Sequence, residues 1–286
     1  MVVFAHGGHP LPPLPAEVTH GCQMVTMEAL AAAGRARPTA PVPPLEHAMA
    51  TICYTSGTTG DPKGVMLTHL NLISNAAAYA DDVDLGADDA HISYLPLAHI
   101  YERVTMLVCL FAGSRAGFFR GDVLGLLDDI AELKPTLFCS VPRLWNRIYD
   151  KVQAGIRDGG FVKQKLFAVA YASKKKALEE GRPPPALWEK LVFAKLREKL
   201  GGRVRYMSTG SAPISAEVME FLRVCFGGVV FEGYGMTESA CVISKTHASK
   251  PKSLNPTPKR PNSTRCTLHS TSGTLQIRLY ILNPRP

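Results

Sequence analysis

"YTSGTTGDPKGVMLTH", Tyr54 to His69, decides how this chain is read. Eleven of its sixteen residues are Gly, Ser, Thr, Pro, Asp or Lys, and ten of these run unbroken from Thr55 to Gly64. Apolar residues flank them: Ala50, Ile52 and Cys53 before, Val65, Met66 and Leu67 after. A strand that feeds nine small residues and one lysine has the composition of an anion-binding loop. Hydroxyls and free backbone N–H groups are donors, and a turn can converge them on one point. Gly57, Gly60 and Gly64 are predicted to admit left-handed backbone and close approach of a ligand. Pro62 stiffens the turn, and Lys63 adds a point charge suited to phosphate oxygens. A flexible Ser/Gly linker shares the composition, but needs neither a flanking strand nor one terminal lysine. Nor is the stretch a Walker A loop. From Gly57 the order is Gly-Thr-Thr-Gly-Asp-Pro-Lys-Gly, so the lysine precedes a glycine and no Ser/Thr follows it to hold a metal.

Outward from the loop, residues 50–244 alternate strand-like and helix-like segments. "ATICYTS", "HISYLPL", "RAGFF", "TLFCSVP", "RVRYMSTG" and "VVFEGYG" read as strands. "HLNLISNAAAYA" reads as a helix with Leu70, Ile73 and Ala77 on one face. "ERVTMLVCLFAG" is apolar nearly all round, which predicts a buried helix. "DVLGLLDDIAEL" is amphipathic, with Asp122 as N-cap and Val123, Leu127, Ile130 and Leu133 at helical spacing. Helices are predicted over 143–157, 162–180 and 186–200, and over "SAEVMEFLRVCF", where Val218, Phe221, Leu222 and Cys225 align. This alternation predicts an α/β fold, with mainly parallel sheets covered by helices. Ligands of such sheets collect at the carboxyl ends of the strands. The polar clusters "TSGTTG", "PLAH", "STGSAP" and "EGYGMTE" fall at those ends.

The flanks differ. Residues 1–49 carry eight prolines, with a short helix predicted at "MEALAAAG". Residues 245–286 hold eight of the 32 basic residues and none of the 24 acidic ones, so the net charge of +8 belongs to that segment. The remaining 24 basic and 24 acidic residues balance, and no nucleic-acid partner is expected. With eleven Ser/Thr and six Pro, 245–286 is predicted to be a disordered basic tail. Seven scattered cysteines with no Cys-x-x-Cys predict reduced thiols. "MVVFAHGGHPLPPLP" lacks the basic start and apolar length of a signal peptide, and the near-apolar run Val104 to Gly113 has only ten residues, short for a membrane span.

Each cluster has a chemical reading beside a plain one. In "STGSAPIS" the small residues permit a flat ring to lie on the backbone; the segment is equally an ordinary strand–helix turn with Ser215 as N-cap. In "FEGYGMTES", Tyr234 between glycines can show its face to a base, and Thr237 offers a hydroxyl to a phosphate. Glu238 is a hard oxygen ligand suited to Mg²⁺, or simply an exposed carboxylate near a helix start. His99 sits just past a strand end, where a lone histidine packs more often than it reacts. Glu102 and Arg103 are expected to pair with other residues.

Taken together, "YTSGTTGDPKGVMLTH", "YLPLAHIYERV", "VPRLWNRIYDKV", "STGSAPIS" and "EGYGMTES" resemble the adenylate-forming (AMP-binding) superfamily, and within it the long-chain acyl-CoA synthetases (long-chain fatty acid–CoA ligases). The resemblance covers about residues 21–244 and leaves 1–20 and 245–286 outside it. It implies part of the large N-terminal domain of that fold. It also implies an ATP-dependent ligase of fatty acid metabolism: acid, ATP and coenzyme A give acyl-CoA, AMP and diphosphate through an acyl-adenylate. By that resemblance Thr55, Ser56, Gly57, Thr58, Thr59, Gly60 and Lys63 cradle the β- and γ-phosphates. Gly210, Ser211, Ala212, Pro213, Tyr234 and Gly235 hold adenine. Thr237 meets the α-phosphate, Glu238 holds Mg²⁺ and His99 lies near the acyl carboxylate. The implied location is cytosolic or peripheral on an endomembrane, endoplasmic reticulum or peroxisome. The family's ribose-binding Thr-Gly-Asp and its C-terminal domain, with an adenylation lysine, have no counterpart after Ser239. The expectation is therefore a partial adenylation domain with little turnover alone; the alternative is an inactive nucleotide- or acyl-binding module.

Overall fold

Parallel pairing in this chain begins at strands too short and too apolar to sit anywhere but inside. A computed structural model describes residues 25–56, 60–81, 83–246, 266–270 and 273–277. The chain divides into two units, Met1–Leu45 and Glu46–Pro286. In the first, α1 (Met27–Ala36) is the helix predicted at "MEALAAAG", capped by Thr26, whose hydroxyl accepts from the Ala29 N–H at 3.1 Å.

The second unit opens on a hairpin, β1 (Met49–Thr55) antiparallel to β2 (Lys63–Thr68), with Thr55 opposite Lys63. β2 was not read as a strand: Val65, Met66 and Leu67 look like a plain apolar flank, yet they alternate half-buried, exposed and buried. There follow α2 (His69–Ala80), β3 (Ala90–Ser93), α3 (Ile100–Ala112), β4 (Arg115–Phe118), α4 (Leu126–Leu133), β5 (Leu137–Ser140), α5 (Pro142–Arg157) and α6 (Gly160–Glu179). A continuous helical segment comes next, α7 (Ala186–Trp188), a π stretch (Glu189–Phe193) and α8 (Ala194–Glu198). β6 (Tyr206–Thr209), α9 (Ala216–Phe226), β7 (Val229–Met236), a 3₁₀ turn (Thr237–Ser239) and β8 (Cys241–Lys245) complete the sheet. β9 (Cys266–Ser270) and β10 (Gly273–Ile277) pair antiparallel with Ser270 opposite Gly273, a local hairpin where the composition of 245–286 predicted no order.

The six-stranded sheet runs β4-β3-β5-β6-β7-β8, parallel except for β8, as the alternation of elements predicted. Its inner strands are covered on both faces. Ile92, Phe138, Met207 and Val230 join one core with α4, α5, α6 and α9, where Trp145 is fully buried. Leu137, Cys139 and Phe231 face the other core with α2 and α3. Successive residues of β5 thus serve opposite cores, the period of two that a pleated strand imposes.

Four local expectations are corrected. The buried face of α2 is Leu72, Ala76 and Tyr79, while Ile73 is exposed. α3 is not buried all round, since Val104 and Val108 are inside but Leu110 and Phe111 are exposed. Asp122 does not cap α4; its Oδ1 accepts from the Leu124 N–H at 2.8 Å, a two-residue turn that competes with capping, and Gly125 stands at the N-cap. Lys245 lies within β8, and Thr246 extends the pairing: its N–H donates to the Glu232 carbonyl, and its hydroxyl accepts from the Glu232 N–H. Ser215 caps α9, accepting from the Val218 N–H, and all four aligned residues of α9 are buried.

Candidate functional site

Because β3, β5, β6 and β7 run parallel, their carboxyl ends share one edge, and the segments that follow β3, β6 and β7 border a cavity of about 200 Å³. His99 and Tyr101 border it from the start of α3, Gly210 and Ser211 from the end of β6, and Gly233 to Thr237 from β7 and its turn. Tyr79, Ser208, Phe231, Cys241, Val242 and Lys245 also line it.

Small residues shape the wall. A Cβ on Gly210 would lie 3.3 Å from the Gly233 carbonyl oxygen, so the ends of β6 and β7 lie close there, and the bare backbone of the two glycines floors a slot in the cavity wall. Ser211 holds φ of 70°, the left-handed region that non-glycine residues enter at a cost, and it is exposed at the cavity rim. A Cβ on Gly235 would fall 1.6 Å from the Cys241 carbonyl oxygen, so β7 and β8 can approach only because that residue is glycine. Tyr234 is 63% exposed beside this slot. Thr237 is half-buried, and Glu238 is exposed with no hydrogen bond or ion pair among the described residues.

His99 stands at a helix start and at the cavity together. Its Nδ1 accepts from the Tyr101 N–H at 3.2 Å and so caps α3, while the ring borders the cavity. With Nδ1 accepting, the neutral ring carries its proton on Nε2. Glu102 pairs with His91, Nε2 to Oε1 at 3.0 Å, both fully buried, with Glu102 Oε2 unpartnered. Arg103 donates to Thr51 Oγ1 at 2.6 Å.

The described residues of the Thr55–Gly64 loop do not line the cavity. The Thr55 hydroxyl donates to the Lys63 carbonyl at 3.5 Å; Ser56, Gly60 and Lys63 are exposed. Gly60 has φ of 106°, as a left-handed turn requires. Gly64 does not share that conformation; a Cβ there would meet Ile52 Cγ2 at 2.7 Å, so it serves side-chain packing across the hairpin. Gly57, Thr58 and Thr59 lie outside the described residues. The cavity therefore gathers His99, Gly210, Ser211, Tyr234, Gly235 and Thr237, whereas Thr55, Ser56, Gly60, Lys63, Ala212, Pro213 and Glu238 do not line it.

Several residues were missed in the sequence. Ser208 Oγ meets the Tyr101 hydroxyl at 2.5 Å and accepts from Tyr79 at 3.4 Å, and the Ser208 carbonyl accepts from Trp145 Nε1 at 3.4 Å. Burial pushes both tyrosine hydroxyls well above their ordinary pKa, so both stay protonated. Asn75 of α2 ties down the far wall: its Nδ2 donates to the carbonyls of Ser239 and Val242 at 3.3 and 2.9 Å, and its Oδ1 accepts from the Val242 N–H. The Lys245 ammonium stands 5.0 Å from the Phe231 ring centre and 5.9 Å from that of Tyr79. Only long-range topology brings these residues together, and no local pattern announces them.

The five described cysteines whose side chains are placed are free. Burial pushes Cys109 and Cys241 up to about 12 and raises Cys139 and Cys225, so none of these four is a ready thiolate nucleophile. No group of three or more His, Cys, Asp or Glu able to hold a metal occurs among the described residues. A single free carboxylate such as Glu238 suits Mg²⁺, which keeps waters and takes substrate phosphates as ligands. No described helix is long and apolar enough to cross a membrane.

Residues 11–284 match the family of AMP-binding enzymes. The chain is 52% identical over 244 residues to the peroxisomal long chain acyl-CoA synthetase 7 of Arabidopsis thaliana, covering 85% of this chain and 35% of that protein. It is 52% identical over 234 residues to the peroxisomal long chain acyl-CoA synthetase 6 of the same plant, covering 82% and 33%. Among solved structures it is similar to the A-PCP didomain of carboxylic acid reductase from Segniliparus rugosus in complex with AMP. That likeness has a TM-score of 0.58 and 26% identity, over 75% of this chain and 28% of that one. The chain thus spans about a third of the length of the curated relatives it matches.

Proposed function

Since this chain belongs to the AMP-binding enzymes, we propose that it binds ATP at the carboxyl edge of its parallel sheet and serves the activation of a long-chain fatty acid. The carboxylate attacks the α-phosphorus of ATP, giving acyl-AMP and diphosphate; the thiol of coenzyme A then displaces AMP to leave the acyl-CoA. The observation that carries this reading is the side-chain-free backbone of Gly210 and Gly233 in the cavity wall beside the exposed Tyr234 ring. A flat base can lie on that bare backbone with an aromatic face beside it. The fatty acid as substrate is supported by the names of the relatives, which are long chain acyl-CoA synthetases.

In this reading the chain's own groups bind and orient. Thr237 offers its hydroxyl to the α-phosphate. Thr55, Ser56, Gly57, Thr58, Thr59, Gly60 and Lys63 offer hydroxyls, backbone N–H groups and an ammonium to the departing phosphates. His99 Nε2 is the ring atom left to donate to the acyl carboxylate, because Nδ1 caps α3. Ala212 and Pro213 extend the adenine side beyond Gly210 and Ser211. When bound, a magnesium ion neutralises polyphosphate charge, and Glu238 is the free carboxylate that would hold it. Little covalent work falls to the protein; fixed donors aimed at developing charge do most of it. A cytosolic or endomembrane-peripheral location is proposed, supported by relatives named peroxisomal.

Calorimetric titration of the full chain with AMP tests the reading. Stacking on Tyr234 is worth about 1–3 kcal/mol, so Tyr234→Ala is expected to weaken AMP roughly five- to 150-fold. ATP–diphosphate exchange dependent on palmitate then tests the chemistry. Absence of AMP binding, or equal binding by Tyr234→Ala, overturns the assignment.

A further inference from the structure

The hairpin that carries the Thr55–Gly64 loop is not part of the six-stranded sheet. Two strands alone are marginal in water, so the place of this hairpin is set by what it leans on. Cys53 and Leu67 pack into the core shared with α2 and α3, but apolar contact has no direction. Directional bonds come from one face of β1. Thr51, Cys53 and Thr55 share that face, as the alternation of a strand requires. The Thr51 hydroxyl accepts from Arg103 Nη1 at 2.6 Å, and the Cys53 thiol donates to the Ala98 carbonyl at 3.2 Å. Thr55 ends the strand and opens the loop.

Both bonds end at the entry to α3. Residues Pro96 to His99 are exposed, yet their four carbonyls are all taken. The His99 N–H donates to Pro96 at 2.9 Å, Arg103 Nε to Leu97 at 3.2 Å, the Cys53 thiol to Ala98, and the Arg103 N–H to His99 at 3.3 Å. Arg103 stands one helical turn beyond His99. Its guanidinium holds the segment leading into His99 with one nitrogen and the hairpin of the phosphate loop with another. The group is planar and rigid, so the two bonds fix one distance.

We propose that Arg103 is a positioning residue: through Thr51 and Leu97 it holds the phosphate loop in register with His99. This deepens the adenylate function proposed above and rests on it. In that function His99 meets the acid carboxylate, and Thr55 to Lys63 meet the departing diphosphate. Attack on the α-phosphorus needs the carboxylate and the leaving group held in line. Neither β1 nor β2 pairs with a strand of the six-stranded sheet, so the sheet itself does not fix the distance between the loop and His99. The guanidinium spans that gap. Arg103 does not line the cavity, and it needs no contact with a substrate to act in this way.

ATP–diphosphate exchange by the full chain with palmitate, read as the rate at saturation and as KM for each substrate, is the test. Thr51→Val keeps the branched shape and removes the acceptor. It is expected to lower the saturated rate about ten- to a hundredfold with both KM values within about threefold, because misplacement by an ångström harms reaction more than binding. Thr51→Ser keeps the hydroxyl and is expected to keep the rate. Arg103→Met is expected to match Thr51→Val, and the two together to cost no more than either alone, since one interaction is lost once. Thermal midpoints of the Thr51 variants are expected within about 4 °C of wild type, which separates lost register from lost fold. A saturated rate unaltered by Thr51→Val, an equal loss in Thr51→Ser, or an effect on KM alone overturns the proposal. So does a loss in Arg103→Met that Thr51→Val does not share, since the guanidinium would then meet a substrate itself. These outcomes leave the adenylate reading standing, whereas absence of palmitate-dependent exchange by the wild-type chain overturns both. The Thr51 pair changes no charge and gives a reading even where Arg103→Met impairs folding.

Discussion

Two glycine-to-alanine changes, 25 residues apart in sequence and bordering one cavity, are expected to fail in opposite ways. At Gly235 the added Cβ would sit 1.6 Å from the Cys241 carbonyl oxygen and 2.6 Å from its carbon. Both are backbone atoms of β8, so no side chain can turn aside. The strands must part by more than about an ångström, which breaks the pairing of Gly235 with Val242 and of Met236 with Cys241. Overpacking costs about 1–3 kcal/mol, and each lost hydrogen bond adds roughly 1 kcal/mol, for a total of about 3–5 kcal/mol. At Gly210 the nearest atom is the Gly233 oxygen at 3.3 Å, and a shift of a few tenths of an ångström relieves it. Stability there should fall by less than about 1 kcal/mol, but the methyl group stands in the slot proposed for the base. AMP affinity should therefore drop about tenfold or more, equivalent to about 1.4 kcal/mol. Urea unfolding followed by circular dichroism measures the first effect, and calorimetric titration with AMP the second. A Gly235→Ala chain as stable as wild type would refute the described packing of β7 on β8. A Gly210→Ala chain that binds AMP normally would refute the slot as the nucleotide site.

Lys63→Ala should weaken ATP by about 1.5–3 kcal/mol through loss of a charge-assisted bond, while AMP, which lacks the outer phosphates, is unaffected; parallel titrations with the two nucleotides check this. For the Asp89 carboxyl, burial acts to raise the pKa, but hydrogen bonds from Thr136 and Gly86 and the Arg205 guanidinium outweigh it and hold the group below its ordinary range. A depressed folded pKa gives stability that is complete above about pH 5 and lost as the pH falls below about 4. Urea midpoints should follow that course, and Asp89→Asn should flatten it. Asn75→Ala removes the bonds to Ser239 and Val242. It should cost about 1–3 kcal/mol and speed hydrogen exchange at the Val242 amide; an amide protected as in wild type would show that α2 does not hold this wall.

The parallel sheet was legible because its inner strands are buried on both faces and so read as short apolar runs; Leu137 to Ser140 is buried at every residue. Gly210 and Thr237 follow strands directly and Tyr234 lies near the end of β7, so the alternation of elements already placed all three at the carboxyl edge, where the cavity lies. Tyr79, Tyr101 and Asn75 were not, for they project from helices, and their partners lie 129, 107 and 167 residues away. Where the reading failed locally, two answers of similar strength competed. Asp122 could cap a helix or close a turn on Leu124, and it closes the turn. α2 carries two apolar stripes at helical spacing, Leu70-Ile73-Ala77 and Leu72-Ala76-Tyr79, and hydrophobicity alone favours neither. The second is buried, and it is the one whose largest member carries a hydroxyl that finds Ser208 and whose ring meets Phe231 edge-on at 5.9 Å. Had the first stripe turned inward, the Tyr79 ring would have been left in water and the inner end of the cavity would have lost a wall. The face of α2 is thus set by what β6 and β7 offer to a tyrosine, and that offer is written some 130 residues downstream of the helix it orients.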